Sequence, residues 1–275
     1  MAAAATLGAW LCAASAAAAP QHLGPPVAGK VARIVSLAPS LSELVLALGK
    51  GELLVGVTRF DDDPRVASLP RVGGYNDPEP ETVLKLRPDL VLAQPAPSNR
   101  GPIEALARLG VPIDVLPLGN VAEIERALEA VAGRLDEVER GRKLVLAIER
   151  HRAEVRARTQ TRPRVRALLI FGLEPLVIAG APSFAGELLA DAGGADLITD
   201  RSRPYARLSA EAAVALQPEL LILCGVEAPP GRPAIVGLEK VPVKSLRSTA
   251  LLHPGPRLGE ALDDLVQALH QGRLK

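Results

Sequence analysis

The side chains of this 275-residue chain that could carry out catalysis are isolated from one another in the sequence. No two histidines or cysteines have the spacing of a zinc-binding pair. The glycine pairs Gly73-Gly74 and Gly193-Gly194 do not match a dinucleotide-binding or phosphate-binding loop. We therefore expect no catalytic residue, no metal site and no cofactor, and a protein that is not an enzyme; the alternative is a serine that meets a base only in the folded chain.

The aromatic side chains point instead to ligand binding. The chain has three Phe and two Tyr, and four of these five fall in predicted loops while Phe171 ends a predicted strand. Aromatic rings usually lie in protein cores, so rings on loops are candidates for contact with a flat, largely apolar ligand. The alternative is that each tyrosine only caps a loop of its own lobe. The five residues are Phe60, Tyr75, Phe171, Phe184 and Tyr205.

The two tyrosines belong to an internal repeat. The spacing Tyr-x5-Glu-x6-Pro occurs at Tyr75 and again at Tyr205, and the following strand and Val-Pro dipeptide keep the same offset of 130 residues, from Pro112 to Pro242. Two unrelated helix–strand units would resemble each other in apolar pattern, but they would not share one offset. The repeat therefore predicts two homologous lobes.

A long proline-free segment lies between the two repeats. The chain has 25 prolines, yet residues 121–160 contain none. From Asp136 the apolar residues recur at three- and four-residue steps, which predicts one helix of roughly 35 Å that ends before Pro163. Such a helix could be a projecting arm, but two flanking lobes make it a bridge. Its charged faces are expected to be solvated.

Short apolar runs alternate with helical patterns on both sides of this helix, which is typical of parallel α/β sheets. Ser40 and Glu43 have the spacing of a helix-capping box. The sequence thus predicts two doubly wound α/β lobes related by an internal repeat and bridged by one long rigid helix. The expected boundaries are a signal peptide at 1–19, a flexible lead at 20–30, an N-terminal lobe at 31–120, a helix leading into the interlobe helix at 121–160, and a C-terminal lobe at 161–275.

The first nineteen residues are small, apolar and rich in alanine, as in a secretory signal peptide, although the first basic side chain is Lys30. The bulky Trp10 and Leu11 before Cys12 argue against a lipid anchor. Removal of this segment would leave Cys224 alone, so no intrachain disulfide is expected. A net charge of +1 offers no basic field for nucleic acid. We expect an exported, monomeric protein.

Four ordered motifs resemble the helical-backbone, or class III, substrate-binding proteins of ABC importers. They are RIVSLAPSLSE at 33–43, LPRVGGY at 69–75, LRPDLVLA at 86–93 and GPRL at 255–258. The resemblance implies a periplasmic protein that captures a cobalamin-like metal chelate between two lobes and delivers it to the importer's permease and ATPase. Haem or a ferric siderophore is the alternative within the family. An α/β enzyme with an interlobe active site is the alternative from another class.

The resemblance also assigns residues. Glu81 and Glu211 occupy the positions at which cobalamin-binding members present one glutamate per lobe to permease arginines, although a carboxylate in a first helical turn also stabilises the helix. Gln94 stands where an aromatic is found in those members. Haem-binding relatives use a loop tyrosine, for which Tyr75 could serve. The full set of expected ligand contacts is Pro39, Ser40, Phe60, Tyr75, Gln94, Phe171, Phe184, Tyr205, Arg207 and His253.

Overall fold

The computed structural model describes residues 18–198, 200, 202–228, 230, 233–246 and 248–270. The expected signal peptide therefore lies outside the described residues, apart from its last two positions, and so does Cys12. Among the helices of the described part, none is long and apolar enough to cross a membrane.

The N-terminal lobe is built on a five-stranded sheet of order β1-β5-β4-β2-β3. Strands β2 to β5 run parallel, and β2, β4 and β5 are wholly buried. Burial on both faces explains the continuous apolar sequence of β4 and the mostly apolar sequences of β2 and β5, which include the buried Ser36 and Asp114. The strands are β1 (Gln21–Leu23), β2 (Ile34–Ser36), β3 (Leu54–Gly56), β4 (Leu90–Ala93) and β5 (Ile113–Val115). The helices are α1 (Pro39–Ala47), α2 (Pro80–Lys85) and α3 (Arg100–Arg108).

Strand β1 corrects one expectation. The segment 20–30 was expected to be a flexible lead, but Gln21–Leu23 pairs antiparallel with β5. The ring of His22 bonds Asp114 through Nδ1 at 2.7 Å and the carbonyl of Pro25 through Nε2 at 2.8 Å. Arg134 binds the same Asp114 carboxylate. The expectation is wrong here because β5 offers an open sheet edge, which local composition cannot reveal.

The C-terminal lobe is built on a second five-stranded sheet, of order β10-β9-β6-β7-β8. Its strands are β6 (Ala167–Leu173), β7 (Leu176–Ala179), β8 (Tyr205–Leu208), β9 (Leu220–Cys224) and β10 (Val243–Leu246), and its helices are α6 (Phe184–Asp191), α7 (Ala210–Ala215) and α8 (Leu258–His270). Strands β10, β9 and β6 are parallel, whereas β7 and β8 add antiparallel hairpin pairings. Strand β8 was not predicted, since Tyr205, its first residue, was expected in a loop.

The two lobes repeat each other in backbone detail. Arg87 and Gln217, 130 residues apart, both have the unusual φ of +46°. In each lobe an arginine at the start of the first parallel strand donates to the carbonyls at this turn: Arg33 to Leu86, and Arg166 to Leu216. Three parallel strands of each lobe also keep the same order, β5-β4-β2 and β10-β9-β6. The predicted fold class, two related α/β lobes, is confirmed.

The proline-free segment forms two helices, α4 (Val121–Arg134) and α5 (Val138–Thr159), separated by a turn in which Asp136 has a φ of +58°. The 22 residues of α5 span about 33 Å. On its buried stripe Val145, Ile148 and Val155 join the core cluster that continues into both lobes. This helix is the bridge that the sequence predicts.

The charged faces of α5 are not merely solvated, which corrects that expectation. At its N-terminal end Arg140 Nε donates to the carbonyl of Ala47 at 2.8 Å, which fixes the helix to α1. Further along, Arg152 Nε lies 2.6 Å from Asp191 on α6, and Arg152 is only 14% exposed. Period-based reasoning identifies which face is polar, but it does not identify the partners that the other lobe supplies.

A glycine on α5 allows this helix to pack closely on α4. A Cβ at Gly141 would lie 2.4 Å from Cβ of Ala132. We expect Gly141→Ala to lower the free energy of unfolding by about 1–3 kcal/mol through overpacking, in spite of the better helix propensity of alanine. Denaturation by urea measures the change. Gly133→Ala, on the exposed face of α4, is the control. A Cβ at Gly133 would have no other atom within 4 Å, so this variant should raise the free energy of unfolding by about 0.5–1 kcal/mol. A rise in the free energy of unfolding of both variants would contradict the close approach of α5 to α4.

Candidate functional site

A cavity of about 490 Å³ lies between the two lobes. Its walls are the segments that follow the carboxyl ends of β2, β4 and β5 in one lobe, and the end of β6 with the loop after β10 in the other. Ligands of open α/β sheets bind at this end of the strands. The described lining residues are Ala38, Pro39, Ser40, Phe60, Tyr75, Asn76, Gln94, Leu118, Gly119, Phe171, Phe184, Tyr205, Leu251, Leu252, His253 and Pro254.

All five Phe and Tyr residues of the chain line this one cavity. The rings of Phe171 and Tyr205 meet edge to face, with centroids 5.3 Å apart. Phe60 is 55% exposed at the opposite wall, and the guanidinium of Arg59 lies 4.9 Å from its ring centroid. Rings from both lobes therefore face a common space, although the sequence separates them by up to 145 residues, from Phe60 to Tyr205.

The two phenols of the cavity are held in the neutral form. Burial raises the pKa of Tyr75, whose hydroxyl donates to the carbonyl of Pro95 at 3.3 Å. Burial also raises the pKa of Tyr205, and the nearby Cys224 thiol and Tyr75 phenol add to the effect. The buried Cys224 itself has its pKa raised to about 12. At neutral pH the tyrosines thus present uncharged rings to the cavity.

Asn99 positions two of these lining loops. It is 1% exposed, and its Nδ2 donates to the carbonyls of Tyr75 and Gln94, each at 2.9 Å. Its Oδ1 accepts from the backbone N–H of Ala96 at 3.0 Å. Sequence reasoning missed this residue. An asparagine directly before a helix reads as an ordinary N-cap, but the side chain of Asn99 makes no capping bond to α3.

Glu43 also has a different role from the one expected. The predicted capping box is wrong, because the residue at the N-cap of α1 is Ala38 and no side chain caps this helix. Instead the Glu43 carboxylate crosses to the other lobe, where it accepts from His253 Nδ1 at 2.8 Å and from Arg257 at 3.0 and 3.1 Å. An interlobe ion pair therefore stands beside the cavity.

Nine of the ten expected ligand contacts lie on the cavity, and Arg207 does not. Arg207 is exposed on β8, where it pairs with Val177 of β7. The four residues Tyr-Ala-Arg-Leu of this strand are too few to give a clear strand pattern in the sequence. No group of three or more His, Cys, Asp and Glu side chains that could hold a metal ion occurs among the described residues.

The two glutamates singled out by the repeat lie outside the cavity. Glu81 and Glu211 are both exposed in the first turns of α2 and α7, at equivalent places in the two lobes. A hydrogen bond from the Ser209 hydroxyl lowers the pKa of Glu211. The lobes thus carry matching surface carboxylates.

Comparison with known sequences places this geometry in a family. The sequence profile of the periplasmic binding proteins matches residues 34–229. The chain belongs to this family. A relative, the vitamin B12-binding protein of Vibrio parahaemolyticus, is 29% identical over 192 residues, which are 70% of each chain.

Solved structures give the same result. The periplasmic haem-binding protein RhuT of Roseiflexus sp. RS-1 is 28% identical, with a TM-score of 0.76 over 87% of this chain and 98% of its own. The vitamin B12-binding protein BtuF of Vibrio cholerae has the same fold, with a TM-score of 0.76 and 24% identity over 89% of this chain and 99% of its own. The resemblance to class III binding proteins is thereby confirmed.

The ionisation of the tyrosines gives a pH test of the cavity. Both phenols have a pKa above the ordinary value of 10.0, so tyrosinate absorbance of the folded protein should reach its half-point at a higher pH than that of the urea-unfolded chain. Since the folded state keeps protons that the unfolded state releases, the free energy of unfolding should fall above about pH 10. In the Tyr75→Phe variant Tyr205 is the one remaining phenol, so the absorbance change reports the ionisation of Tyr205 alone. Coinciding half-points would show that the rings are solvated.

Proposed function

We propose that the chain is an extracytoplasmic substrate-binding protein that captures a cobalamin-like metal chelate in the interlobe cavity and delivers it to an ABC importer. The observation that carries this proposal is the convergence of every Phe and Tyr of the chain on that cavity. A chain with 2% aromatic residues that places all of its Phe and Tyr on one cleft is suited to a broad, flat, largely apolar ligand.

The charge of the cavity favours a cobalamin-like ligand within the family. None of the described lining residues is Lys, Arg, Asp or Glu. A ferric siderophore or the propionates of haem would be better served by basic side chains, whereas the amide-rich rim of a corrinoid is matched by neutral donors such as Asn76, Gln94 and the two phenols. The name of the Vibrio parahaemolyticus relative supports this reading. Haem is the second candidate, since the Roseiflexus protein named for it is 28% identical.

Delivery is assigned to the exposed glutamates. Glu81 and Glu211 stand at equivalent first-turn positions, one on each lobe. Two separated carboxylates fix the orientation of a docking partner and accelerate encounter, provided that the partner presents basic groups at matching positions. We assign that partner as the permease of an ABC importer with its ATPase. Export by the segment at 1–19 and action as a monomer belong to the same proposal.

A ligand panel tests the binding role. Titration of the purified protein with cobalamin, haem and a ferric siderophore, followed by visible absorbance, should give one-to-one binding of cobalamin that is tighter than binding of the others. The ligand should be recovered unchanged. Formation of a product would favour the α/β enzyme with an interlobe active site.

Titration of protein variants with the same ligands tests whether the cavity is the binding site. Tyr75→Ala combined with Tyr205→Ala should weaken binding by about 2 kcal/mol or more, since each ring contributes on the order of 1 kcal/mol. Leu109→Ala, at a side chain that is 63% exposed away from the cavity, should bind as the unaltered protein does. If the unaltered protein, the double tyrosine variant and Leu109→Ala all bind with equal affinity, the two tyrosines do not contact the ligand.

Docking has a separate test. Glu81→Arg with Glu211→Arg should leave ligand affinity unchanged and abolish ligand uptake by cells that depend on this protein, because both carboxylates become repulsive cations. Glu139→Arg with Glu154→Arg makes the same charge change at exposed positions of α5 and should retain uptake. Uptake that survives the first double exchange contradicts the docking role.

A further inference from the structure

His253 has an unusual position among the histidines of the described chain. It lines the interlobe cavity in the loop after β10, and its side chain is 13% exposed. Its Nδ1 is bound to Glu43 Oε1 at 2.8 Å. No described residue is a hydrogen-bond partner of its Nε2. The two ring nitrogens point in nearly opposite directions, so Nε2 faces away from Glu43.

The hydrogen bond to Glu43 selects the tautomer of the ring. A carboxylate only accepts, so Nδ1 carries the proton and Nε2 of the neutral ring keeps its lone pair. Glu43 is itself held by two bonds from Arg257, and Arg257 Nη2 also donates to Thr249 Oγ1 at 2.8 Å. The carboxylate is 11% exposed. The imidazole is therefore oriented by a fixed anion. In many proteins a metal-binding histidine is oriented in the same way, by a carboxylate that accepts a hydrogen bond from the ring nitrogen that does not bind the metal.

The other three histidines do not meet these conditions. His22 uses both ring nitrogens in hydrogen bonds, and His270 is buried with Nε2 on the carbonyl of Ala192 at 2.8 Å. His151 also pairs with a carboxylate, Asp263, but it does so through Nε2 and on the bridging helix α5, away from the cavity. His253 alone in the described chain combines a cavity position with an unbound Nε2.

Its neighbours in the cavity are poor competitors for a metal. A tyrosine binds a metal ion best as phenolate, and burial keeps both Tyr75 and Tyr205 protonated. The other polar lining side chains are Ser40, Asn76 and Gln94, all neutral oxygen or amide donors. An imidazole nitrogen suits the transition metals of planar chelates better than these groups do.

We propose that His253 Nε2 is an axial ligand to the metal of the bound chelate, with Glu43 as its positioning residue. This assignment rests on the proposed function and names the ligand more narrowly: a planar metal chelate whose metal has an exchangeable axial position. On binding, the bond from the metal to its axial water breaks, the water leaves, and the Nε2 lone pair forms the new bond. No electron or proton is transferred.

Two cobalamins with different axial ligands test the assignment. Aquocobalamin exchanges its axial water readily, whereas the axial cyanide of cyanocobalamin is held firmly. The unaltered protein should shift the visible bands of aquocobalamin to those of an imidazole complex. His253→Ala should bind aquocobalamin at least about tenfold more weakly and without the band shift. His151→Ala is the matched control, because it removes a carboxylate-paired histidine outside the cavity, and it should behave as the unaltered protein does.

The Glu43→Gln variant tests whether Glu43 orients the ring of His253 or only stabilises the fold. It should weaken binding of aquocobalamin by about 10–100-fold and binding of cyanocobalamin much less, since only the first complex uses Nε2. An equal loss for both ligands would indicate a structural role for Glu43 and overturn its positioning role.

The outcomes for the two proposals are distinguishable. If the unaltered protein binds aquocobalamin with unshifted bands, or if His253→Ala keeps both the shift and the affinity, the axial assignment is overturned and the binding function stands. If the unaltered protein binds neither cobalamin, and ferric haem binds with a Soret band that His253→Ala leaves unchanged, both the cobalamin reading and the axial assignment fail.

Discussion

The anchoring of α5 to both lobes is the constraint on which the rest of the structure depends. At one end Glu137 lies 2.6 Å from Lys50, next to α1, and further along Arg152 lies 2.6 Å from Asp191 on α6. Asp191 is 8% exposed, so this second pair is shielded from solvent and from salt. The continuous apolar core joins the same elements. A helix fixed in this way sets the distance between the two sheets and hence the width of the cavity.

The composition of the chain fits this design. The core is packed almost entirely with Leu, Val, Ile and Ala, which fill the space between parallel sheets and their helices. Among the described aromatic residues, Phe184 is 2% exposed and belongs to this core. Tyr75, Phe171 and Tyr205 pack against the core and also line the cavity, where large rigid surfaces recognise a ligand at little entropic cost. The hydrogen bonds of Asn99 and the ion pair of Glu43 with Arg257 then fix the positions of the loops that line the cavity. The same rings therefore form the wall of the cavity and cover the edge of the core.

Much of the fold could be predicted from the sequence because it follows from local periodicity and from the repeat. Spacing in the sequence is enough to predict the length of α5. It is also enough to identify the residues that are equivalent in the two lobes, which are Tyr75 and Tyr205, and Glu81 and Glu211. The contacts made between distant segments could not be predicted. Strand β1 needs the free edge of β5, and Glu43 meets Arg257 only after both lobes have docked on α5. Apolar periodicity reports that a face is buried, but not which partner covers it.

Cys224 has a consequence for biogenesis. The thiol is 2% exposed, and with a pKa of about 12 it holds almost no thiolate at neutral pH. Since the thiolate is the form that attacks disulfides and oxidants, the folded protein resists mixed disulfides and oxidative damage at this residue. An oxidising compartment would therefore leave this thiol unaltered in the folded chain. The interval before β9 is buried is the only stage at which this thiol would be vulnerable.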